Sequence, residues 1–415
     1  MWNKKRRHIR STGSVYLYVL GASLLVTVIG LAALSAVRIQ MRSVQRAQDY
    51  AEAKACAFSA VELGLLYIEA DSDWRTTWAN GTWLSSQSLG SGTLALQGID
   101  PQDGDLADSE YEPLVLTGIG SRGIACHQTQ VTLVPVIQPL EALNTCLHAS
   151  GKVKVYGGKS LTVVGAPVST NGVLDNEDTI DGDAHAASVD DTGTITGTLT
   201  VPAPNKDMPD ADVISDYIAR ATVVPYTGAI DKKVLTATSN PWGSADPNGL
   251  YFIDTGGNDL QVKNTRIHAT LIVRTGGAIL YVEDAVLMQS YRSDYPALIV
   301  DGETYLRHKS ASADLSESAC GTNFNPVGAP YDGTSDSDTS DTYSNEIQGL
   351  VHVNGNLALG ETARVVGTII CAGTVRVQEH NTIVHDPSLY SAPPEGYTYI
   401  ERMKLSPGSW KQVVD

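Results

Sequence analysis

Positively charged side chains are scarce in this chain, which has 29 Lys and Arg against 46 Asp and Glu and a formal net charge of −17. Five of the cations lie in residues 1–13, so the rest of the chain is more acidic still. An acidic surface repels the phosphates of nucleic acids and of anionic lipid headgroups. We therefore expect no nucleic-acid partner.

Phenylalanine and cysteine are also rare, with three Phe and five Cys against 38 Gly. This composition argues against a helical bundle and favours a β-rich protein with many turns. No Cys-x-x-Cys occurs, and the odd number of cysteines excludes a complete disulfide framework. The nearest pair, Cys126 and Cys146, can form one disulfide in an oxidising compartment. We expect no cofactor.

One long stretch, Val15 to Val37, has no charge at all. It is long enough to cross a hydrocarbon core about 30 Å thick. A basic block precedes it at residues 4–10, and Arg38 closes it. Because basic segments stay in the cytoplasm, we expect a single-pass protein of the cytoplasmic (inner) membrane. Its amino terminus would lie in the cytoplasm, and most of the chain would lie outside it, in the periplasm or at the cell surface. The lipid bilayer would be one of its partners.

The apolar pattern continues past Arg38 with the spacing of a helix stripe. Its members are Ile39, Met41, Val44, Ala47, Tyr50, Ala53, Ala57, Val61, Leu65 and Ile68. Neither proline nor glycine interrupts residues 31–63. This predicts one helix from about Val15 to Ala70, on the order of 80 Å long at 1.5 Å per residue.

A short basic leader that ends in Gly13 before an apolar helix resembles the precursors of type IV pilins and type II secretion pseudopilins. The stretch from Arg46 to about Leu65, which contains Ala57-Phe-Ser-Ala-Val-Glu62, is similar to the amino terminus of PilX/GspK-type minor pilins. The resemblance covers about residues 10–68. It implies that a prepilin peptidase cuts after Gly13 and leaves Ser14 as the new amino terminus.

The resemblance also singles out two residues of helix assembly, Tyr18 and Glu62. Major pilins carry a glutamate at the fifth mature position, where this chain has Tyr18. That departure favours a minor or tip subunit over the builder of a long homopolymer. Glu62 matches the acid of the family segment, although a solvated helix carboxylate is the simpler interpretation. Other pilin or pseudopilin subunits are the implied partners.

The remainder of the chain predicts β structure. Residues 71–138 contain short runs with the two-residue period of half-buried strands. Further on, Leu350–Leu359 aligns with Thr368–Val377 at an offset of 18, and Phe252 to Gly257 aligns with Ile272 to Gly277 at an offset of 20. A third copy of the opening begins at Leu298. Recurring apolar runs of this length are typical of stacked β-helix coils.

We therefore predict a mainly β chain with one long amino-terminal transmembrane helix and a right-handed parallel β-helix body; a β-sandwich is the alternative. Insertions are expected at Asp175–Asp183 and Ser310–Asn345. The predicted domains are a basic leader (1–13), a pilin-like transmembrane and extended helix (14–70), a small β-rich domain (71–138), a β-helix-like repeat domain (150–386) and a carboxy-terminal tail (387–415).

Parallel β-helices often house polysaccharide lyases and hydrolases, which need two nearby carboxylates. In the aligned coils Asp254, Arg274 and Asp301 alternate in charge, which indicates a ladder of surface ion pairs instead. We therefore expect no enzymatic activity. The first insertion offers weak candidate calcium ligands, which lack the glycine and the terminal glutamate of an EF-hand loop. They are Asp175, Glu177, Asp181 and Asp183.

The sequence thus predicts a membrane-anchored minor pilin- or pseudopilin-like structural component of a type IV pilus or a type II secretion-like apparatus. It would display a β-helical domain outside the cytoplasmic membrane. Two alternatives stay open. One is a permanently anchored surface structural protein, and the other is a β-helix polysaccharide lyase or hydrolase that uses the same anchor.

Overall fold

The computed structural model describes residues 12–309 and 314–413. They form two compact units. The first contains the chain up to Ile137 and again from Ile400 onward, and the second runs from Gln138 to Tyr399. The prediction of a mainly β chain with one long amino-terminal helix is confirmed.

The first unit begins with helix α1 (Thr12–Ala70), 59 residues long. By length and composition it can cross a membrane. Its second half packs on a sheet through small side chains at helical spacing, Ala53, Ala57, Ala60 and Val61, all of them buried. A one-turn helix, α2 (Trp74–Thr77), follows α1.

The sheet of this unit is antiparallel. Its first four strands pair in chain order, and β3 lies under α1. The strands are β1 (Gly81–Leu89), β2 (Gly92–Ile99), β3 (Leu114–Arg122) and β4 (Ala125–Pro139). Gly118 and Gly120 on β3 allow a close approach, because a Cβ atom at either position would clash with a backbone carbonyl of α1. The sheet therefore contacts the helix backbone directly.

The second unit starts with a short 3-10 helix, Glu141–Asn144. Its first coils contain β5 (Leu147–Ala149), β6 (Val153–Val155), β7 (Ser160–Val164), β8 (Val168–Asn176), β9 (Thr179–Asp181), β10 (Ala184–Asp191), β11 (Thr194–Ile195) and β12 (Leu199–Thr200). Helix α3 (Asp212–Arg220) follows them.

The later coils contain β13 (Thr222–Val223), β14 (Ala229–Asp231), β15 (Val234–Thr236), β16 (Leu250–Asp254), β17 (Leu260–His268), β18 (Thr270–Gln289) and β19 (Leu298–His308). An insertion carries β20 (Leu315–Ser316), helix α4 (Glu317–Cys320) and β21 (Thr342–Tyr343). The last coils hold β22 (Glu346–Val353), β23 (Leu357–Leu359), β24 (Arg364–Cys371), β25 (Val375–Val377) and β26 (Asn381–Val384).

The coils stack as the repeats predict. Phe252 pairs with Ile272, Leu357 with Val375 and Val365 with Ile383, each in parallel register. Twenty strands join in one sheet that winds around a continuous core of Val, Ile and Leu. This arrangement is a parallel β-helix, and the alternative of a β-sandwich is excluded.

The order of the coils in the stack differs from their order in the chain. β24, β25 and β26 of the last coil pair with β5, β6 and β7 of the first. From β12 the chain passes through α3 to β13, at the opposite end of the stack, and then builds back toward its starting point. In the middle of the β-helix, the first coil and the last coil of the chain are therefore neighbours, although they are far apart in sequence.

After the last coil comes helix α5 (Ser388–Ser391). Two final strands, β27 (Thr398–Leu405) and β28 (Lys411–Val413), both pair with β4. The carboxy-terminal residues thus extend the sheet of the first unit.

Candidate functional site

The first half of α1 presents its side chains outward. Beyond the uncharged run, Ile39, Met41 and Val44 are each 68% exposed. They belong to the same stripe as Ala53 and Ala57, which the sheet buries. The predicted stripe is therefore exposed from Ile39 to Val44 and buried against the sheet from Ala53 to Val61.

The residues that the pilin resemblance singles out all lie on α1. Gly13 and Ser14 fall in its first turn, and Tyr18 is exposed within the apolar run. Glu62 is exposed, although the preceding residue, Val61, is buried. Tyr18 and Glu62 lie roughly 65 Å apart along one helix, so they form no common site.

Cys126 and Cys146, the predicted disulfide partners, are both free thiols. Cys126 is exposed on β4 in the first unit. Cys146 is buried at the start of the second unit, where its Sγ lies 3.4 Å from the carbonyl oxygen of Val164. Burial raises the pKa of the Cys146 thiol, which keeps it protonated.

The predicted calcium ligands are engaged with groups of their own unit. Asp175 pairs with Lys152 at 2.6 Å and with Lys154 at 3.0 Å, and Glu177 pairs with Lys154 at 2.5 Å. The lysine hydrogen bonds lower the pKa of both carboxyl groups. These side chains form a charge ladder on neighbouring coils.

The other two predicted ligands accept hydrogen bonds from the next coil. Asp181 Oδ1 accepts from the Thr196 hydroxyl at 2.7 Å, and Asp183 Oδ1 accepts from the Thr198 amide at 2.6 Å. Across residues 12–309 and 314–413, the structure does not gather the four candidates into a metal-ligating group.

The predicted alternation on adjacent coils is present in the register. Asp254 pairs with Arg274 and Arg274 with Asp301 in the parallel ladders. Arg274 and Asp301 form an ion pair at 3.2 Å, while Asp254 Oδ1 accepts the amide of Gly256. This is a surface ion pair, and exposed pairs of this kind contribute little to stability.

A carboxylate cluster that the sequence analysis missed lies in the first unit. Residues 100–113 connect β2 to β3 without regular structure and contain six acidic side chains. Four of these, Asp100, Asp103, Asp108 and Glu112, each offer an oxygen, and the four oxygens lie within 4.8 Å of one another. We call these four residues the acidic quartet.

Asp100 is the buried member of the acidic quartet, at 3% exposure. Its Oδ1 accepts the amide of Gln102 at 2.7 Å, and its amide donates to Asn80 Oδ1 at 2.8 Å. Its Oδ2 is buried and has no hydrogen-bond donor, and the same is true of Glu112 Oε2. When both groups are ionised, these two carboxylate oxygens are thus removed from water without a hydrogen-bond donor.

The electrostatics of the quartet reflect this crowding. Protonated Glu112 can donate a hydrogen bond to the Asp100 carboxyl, and this bond, together with desolvation and the neighbouring negative charges, raises the pKa of Glu112 to about 7. Desolvation and the charge of Asp103 raise the pKa of Asp108. Both shifts show that the cluster holds more negative charge than its surroundings offset.

One cation lies nearby. Arg75 of α2 is buried, and burial lowers its pKa although the surrounding carboxylates act in the opposite direction. Its guanidinium donates to the carbonyl oxygens of Leu106, at 3.4 Å, and of Glu112. It therefore holds the backbone of the loop in place and supplies a single positive charge beside four carboxyl groups.

The sequence carries a signal for this site in the spacing Asp100-x-x-Asp103 and Asp108-x-x-x-Glu112 directly after a strand. The acidic insertions of the repeat region drew the prediction to a different loop because they have a similar composition. What the sequence does not show is that Asp100 is buried, and burial separates a carboxylate cluster from an ordinary solvated loop.

Comparisons with known proteins leave the family open. No protein-family model matches the sequence, and no curated protein matches it. The solved structure of the competence-associated pilin ComZ from Thermus thermophilus is 11% identical, with 88% of this chain and 98% of that chain covered and a TM-score of 0.26. An ice-binding protein from the Antarctic ascomycete Antarctomyces psychrotrophicus is 13% identical, with 60% and 99% covered and a TM-score of 0.27. At such TM-scores neither likeness bears on the function.

Proposed function

We propose that this protein is a membrane-anchored, pilin-like structural component that displays a β-helical unit outside the cytoplasmic membrane. The observation that carries the proposal is α1. One uninterrupted helix is apolar and exposed over its first half and packs on an antiparallel sheet through its second half. The apolar helix after a basic leader, which resembles pilin precursors over residues 10–68, supports the same assignment.

The exposed stripe above Arg38 supports assembly rather than simple anchoring. A membrane anchor needs an apolar surface only where it crosses the bilayer. Ile39, Met41 and Val44 nevertheless extend the exposed apolar surface of α1 beyond Arg38, the charge that ends the uncharged run. Apolar side chains exposed to water in a row favour burial against a partner. The partner we propose is the α1 helix of neighbouring pilin or pseudopilin subunits, in a type IV pilus or a type II secretion-like apparatus.

We further propose that the β-helical unit has a structural rather than a catalytic role. Four acidic side chains on its coils are held by lysine, arginine or backbone amides: Asp175, Glu177, Asp254 and Asp301. A glycosidase would need one of its two acids kept protonated near neutral pH. The observed pairing lowers the pKa of Asp175 and Glu177 instead.

The amino terminus of the mature protein tests the proposal. We expect mass spectrometry of the full chain from membranes to find a first residue of Ser14 when an active prepilin peptidase is present, and Met1 when it is not. The substitution Gly13→Leu should abolish the cut. Gly21→Leu is the matched control, because nothing lies within 4 Å of a Cβ atom at Gly21 and the helix stays apolar.

A chain that begins at Met1 in both membranes would overturn the pilin assignment and leave a permanently anchored surface protein. If the cut does occur, chemical cross-linking in the same membranes should join α1 to other pilin-type subunits. Replacing Ile39 and Val44 by lysine should reduce those cross-links, since it places charge on the proposed contact.

A further inference from the structure

The acidic quartet in the loop between β2 and β3 is electrostatically incomplete. When both carboxyl groups are ionised, the buried Oδ2 of Asp100 and Oε2 of Glu112 have no hydrogen-bond donor. A buried carboxylate normally accepts hydrogen bonds, pairs with a cation or ligates a metal. Arg75 donates to backbone carbonyl oxygens in this loop. Within residues 12–309 and 314–413, the quartet is the group with metal-ligating spacing.

We propose that Asp100, Asp103, Asp108 and Glu112 bind one calcium ion. The site is independent of the filament proposal, since it lies in the first unit and needs no second subunit. All four ligands are carboxylates, and hard divalent cations prefer oxygen ligands. Asp100 contributes the buried oxygen, and the exposed Asp103 and Asp108 close the site from the solvent side.

The all-carboxylate ligand set and the irregular loop suit calcium better than magnesium. The quartet oxygens lie within 4.8 Å of one another, close enough for one ion to contact all four. Calcium accepts roughly six to eight oxygen ligands in a flexible shell. Magnesium requires a near-ideal octahedron with bonds of about 2.1 Å. An irregular loop that supplies four carboxylates adapts to the flexible shell of calcium, in which water completes the coordination.

Bound calcium would complete the fixation of a loop that the protein already holds at several points. The amide of Asp100 donates to Asn80 Oδ1, and the amide of Asp105 donates to Asp103 Oδ1 at 2.9 Å. The Arg75 guanidinium donates to the carbonyl oxygens of Leu106 and Glu112. The backbone is thus arranged around the carboxylates. What the arrangement lacks is positive charge: Arg75 offsets one of the four carboxylates, and one Ca²⁺ ion would offset two more.

The test is a calorimetric titration of the full chain, in detergent micelles and freed of metal with EDTA, with CaCl₂ and separately with MgCl₂. We expect one calcium per chain, magnesium bound at least about tenfold more weakly, and a thermal unfolding midpoint that rises with calcium concentration. Asp100→Asn should weaken calcium binding by about tenfold or more, because it removes the buried charge of the quartet.

Two further variants separate the site from general acidity. Asp103→Asn removes an exposed ligand, so it should weaken calcium binding while the unfolding midpoint in EDTA stays that of the parent. Asp105 lies in the same loop but outside the quartet, and Asp105→Asn removes the same charge. We expect it to change the calcium affinity by less than about threefold. No calcium binding by the parent at several millimolar, or equal losses in Asp103→Asn and Asp105→Asn, would overturn the proposal.

Discussion

Five consecutive coils of the β-helix place a glycine at the same corner: Gly302, Gly355, Gly373, Gly151 and Gly172, in order along the stack. The corners approach so closely that the amide of Gly373 donates to the carbonyl of Gly355 at 2.9 Å, and that of Gly151 to Gly373 at 3.2 Å. A Cβ atom at Gly151 would lie 2.7 Å from the oxygen of Gly373. The column therefore sets the distance between coils at this corner.

We expect Gly373→Ala to destabilise the β-helix by about 1–3 kcal/mol, the usual cost of adding an atom where the neighbours cannot move. The added Cβ atom meets backbone, the carbonyl oxygen of Gly355, rather than the end of a flexible side chain. Urea unfolding followed by far-ultraviolet circular dichroism measures the change. Gly243→Ala is the control, because nothing lies within 4 Å of its Cβ position. Equal midpoints for the two variants would show that the corner is free to relax.

The glycine column also shows which contacts between residues can be predicted from the sequence repeats. The 18-residue offset predicts that Gly355 lies over Gly373, and the structure confirms it. Gly151 joins the column from a coil more than two hundred positions earlier in the chain. No local repeat links Gly151 to Gly373. The repeats therefore predict contacts between coils that are consecutive in sequence, but not the contact between the first coil and the last.

At the scale of elements, the insertion after β19 is held by two buried charges. Arg266 of β17 is 1% exposed and donates to the carbonyls of Phe324, of Ala329 at 3.2 Å and of Pro330 at 2.8 Å. Glu317 is fully buried and accepts from the amides of Phe324 and Asp341 and from the Tyr343 hydroxyl. The insertion thus folds around side chains rather than around a repeat of its own.

We expect Glu317→Gln to loosen the insertion while the coils stay folded. Glutamine offers one acceptor oxygen instead of two and brings an NH₂ group toward backbone amides, which costs about 1–3 kcal/mol for an unsatisfied buried group. Limited proteolysis of the full chain should then cut faster between Asp314 and Asn345. Glu379→Gln, which breaks the surface pair with Lys159, is the control. Unchanged cleavage in Glu317→Gln would mean that Arg266 alone holds the segment.

The elements differ in how well their sequence predicts them. The helix α1 and the strands with aligned repeats follow from periodicity, which is local. The insertion from Ser310 to Asn345 has a composition typical of a solvated loop, and nothing in it indicates that Glu317 is buried. The acidic loop at residues 100–113 was missed for the same reason: burial of a single carboxylate depends on the packing of α2 and the sheet around it.

At the scale of the whole molecule, the β-helical unit keeps three histidines away from water. Burial lowers the pKa of His148, His308 and His352 to about 4 in each case, with a contribution from Lys206 at His148 and an opposing one from Asp301 at His352. In the unfolded chain each would titrate near 6.5. Between these values the unfolded state binds more protons, so stability falls as the pH drops from about 6.5 to about 4 and levels off below that range.

We expect the free energy of unfolding to decrease from pH 6.5 to pH 5, by up to about 1.4 kcal/mol per pH unit for each of the three histidines. This window lies above the pH at which the paired carboxylates of Asp175 and Glu177 begin to lose their contribution. Urea unfolding of the full chain at half-unit pH intervals measures the slope. Carboxyl groups with a lowered pKa would instead leave stability flat in this window and lower it only in more acidic solution. Glu112, whose pKa is raised, opposes the histidines, because its protonation makes stability rise as the pH falls toward 5.

His308 isolates the effect of a single group, because it is fully buried and neither ring nitrogen has a hydrogen-bond partner in the described structure. His308→Leu removes the titrating ring without breaking a hydrogen bond, so stability at pH 7 should hold or rise. The slope between pH 6.5 and pH 5 should become shallower by up to about 1.4 kcal/mol per pH unit. His380→Gln, at an exposed position, should leave the slope in place. If both variants keep the parent slope, the buried histidines do not set the acid limit of the β-helix.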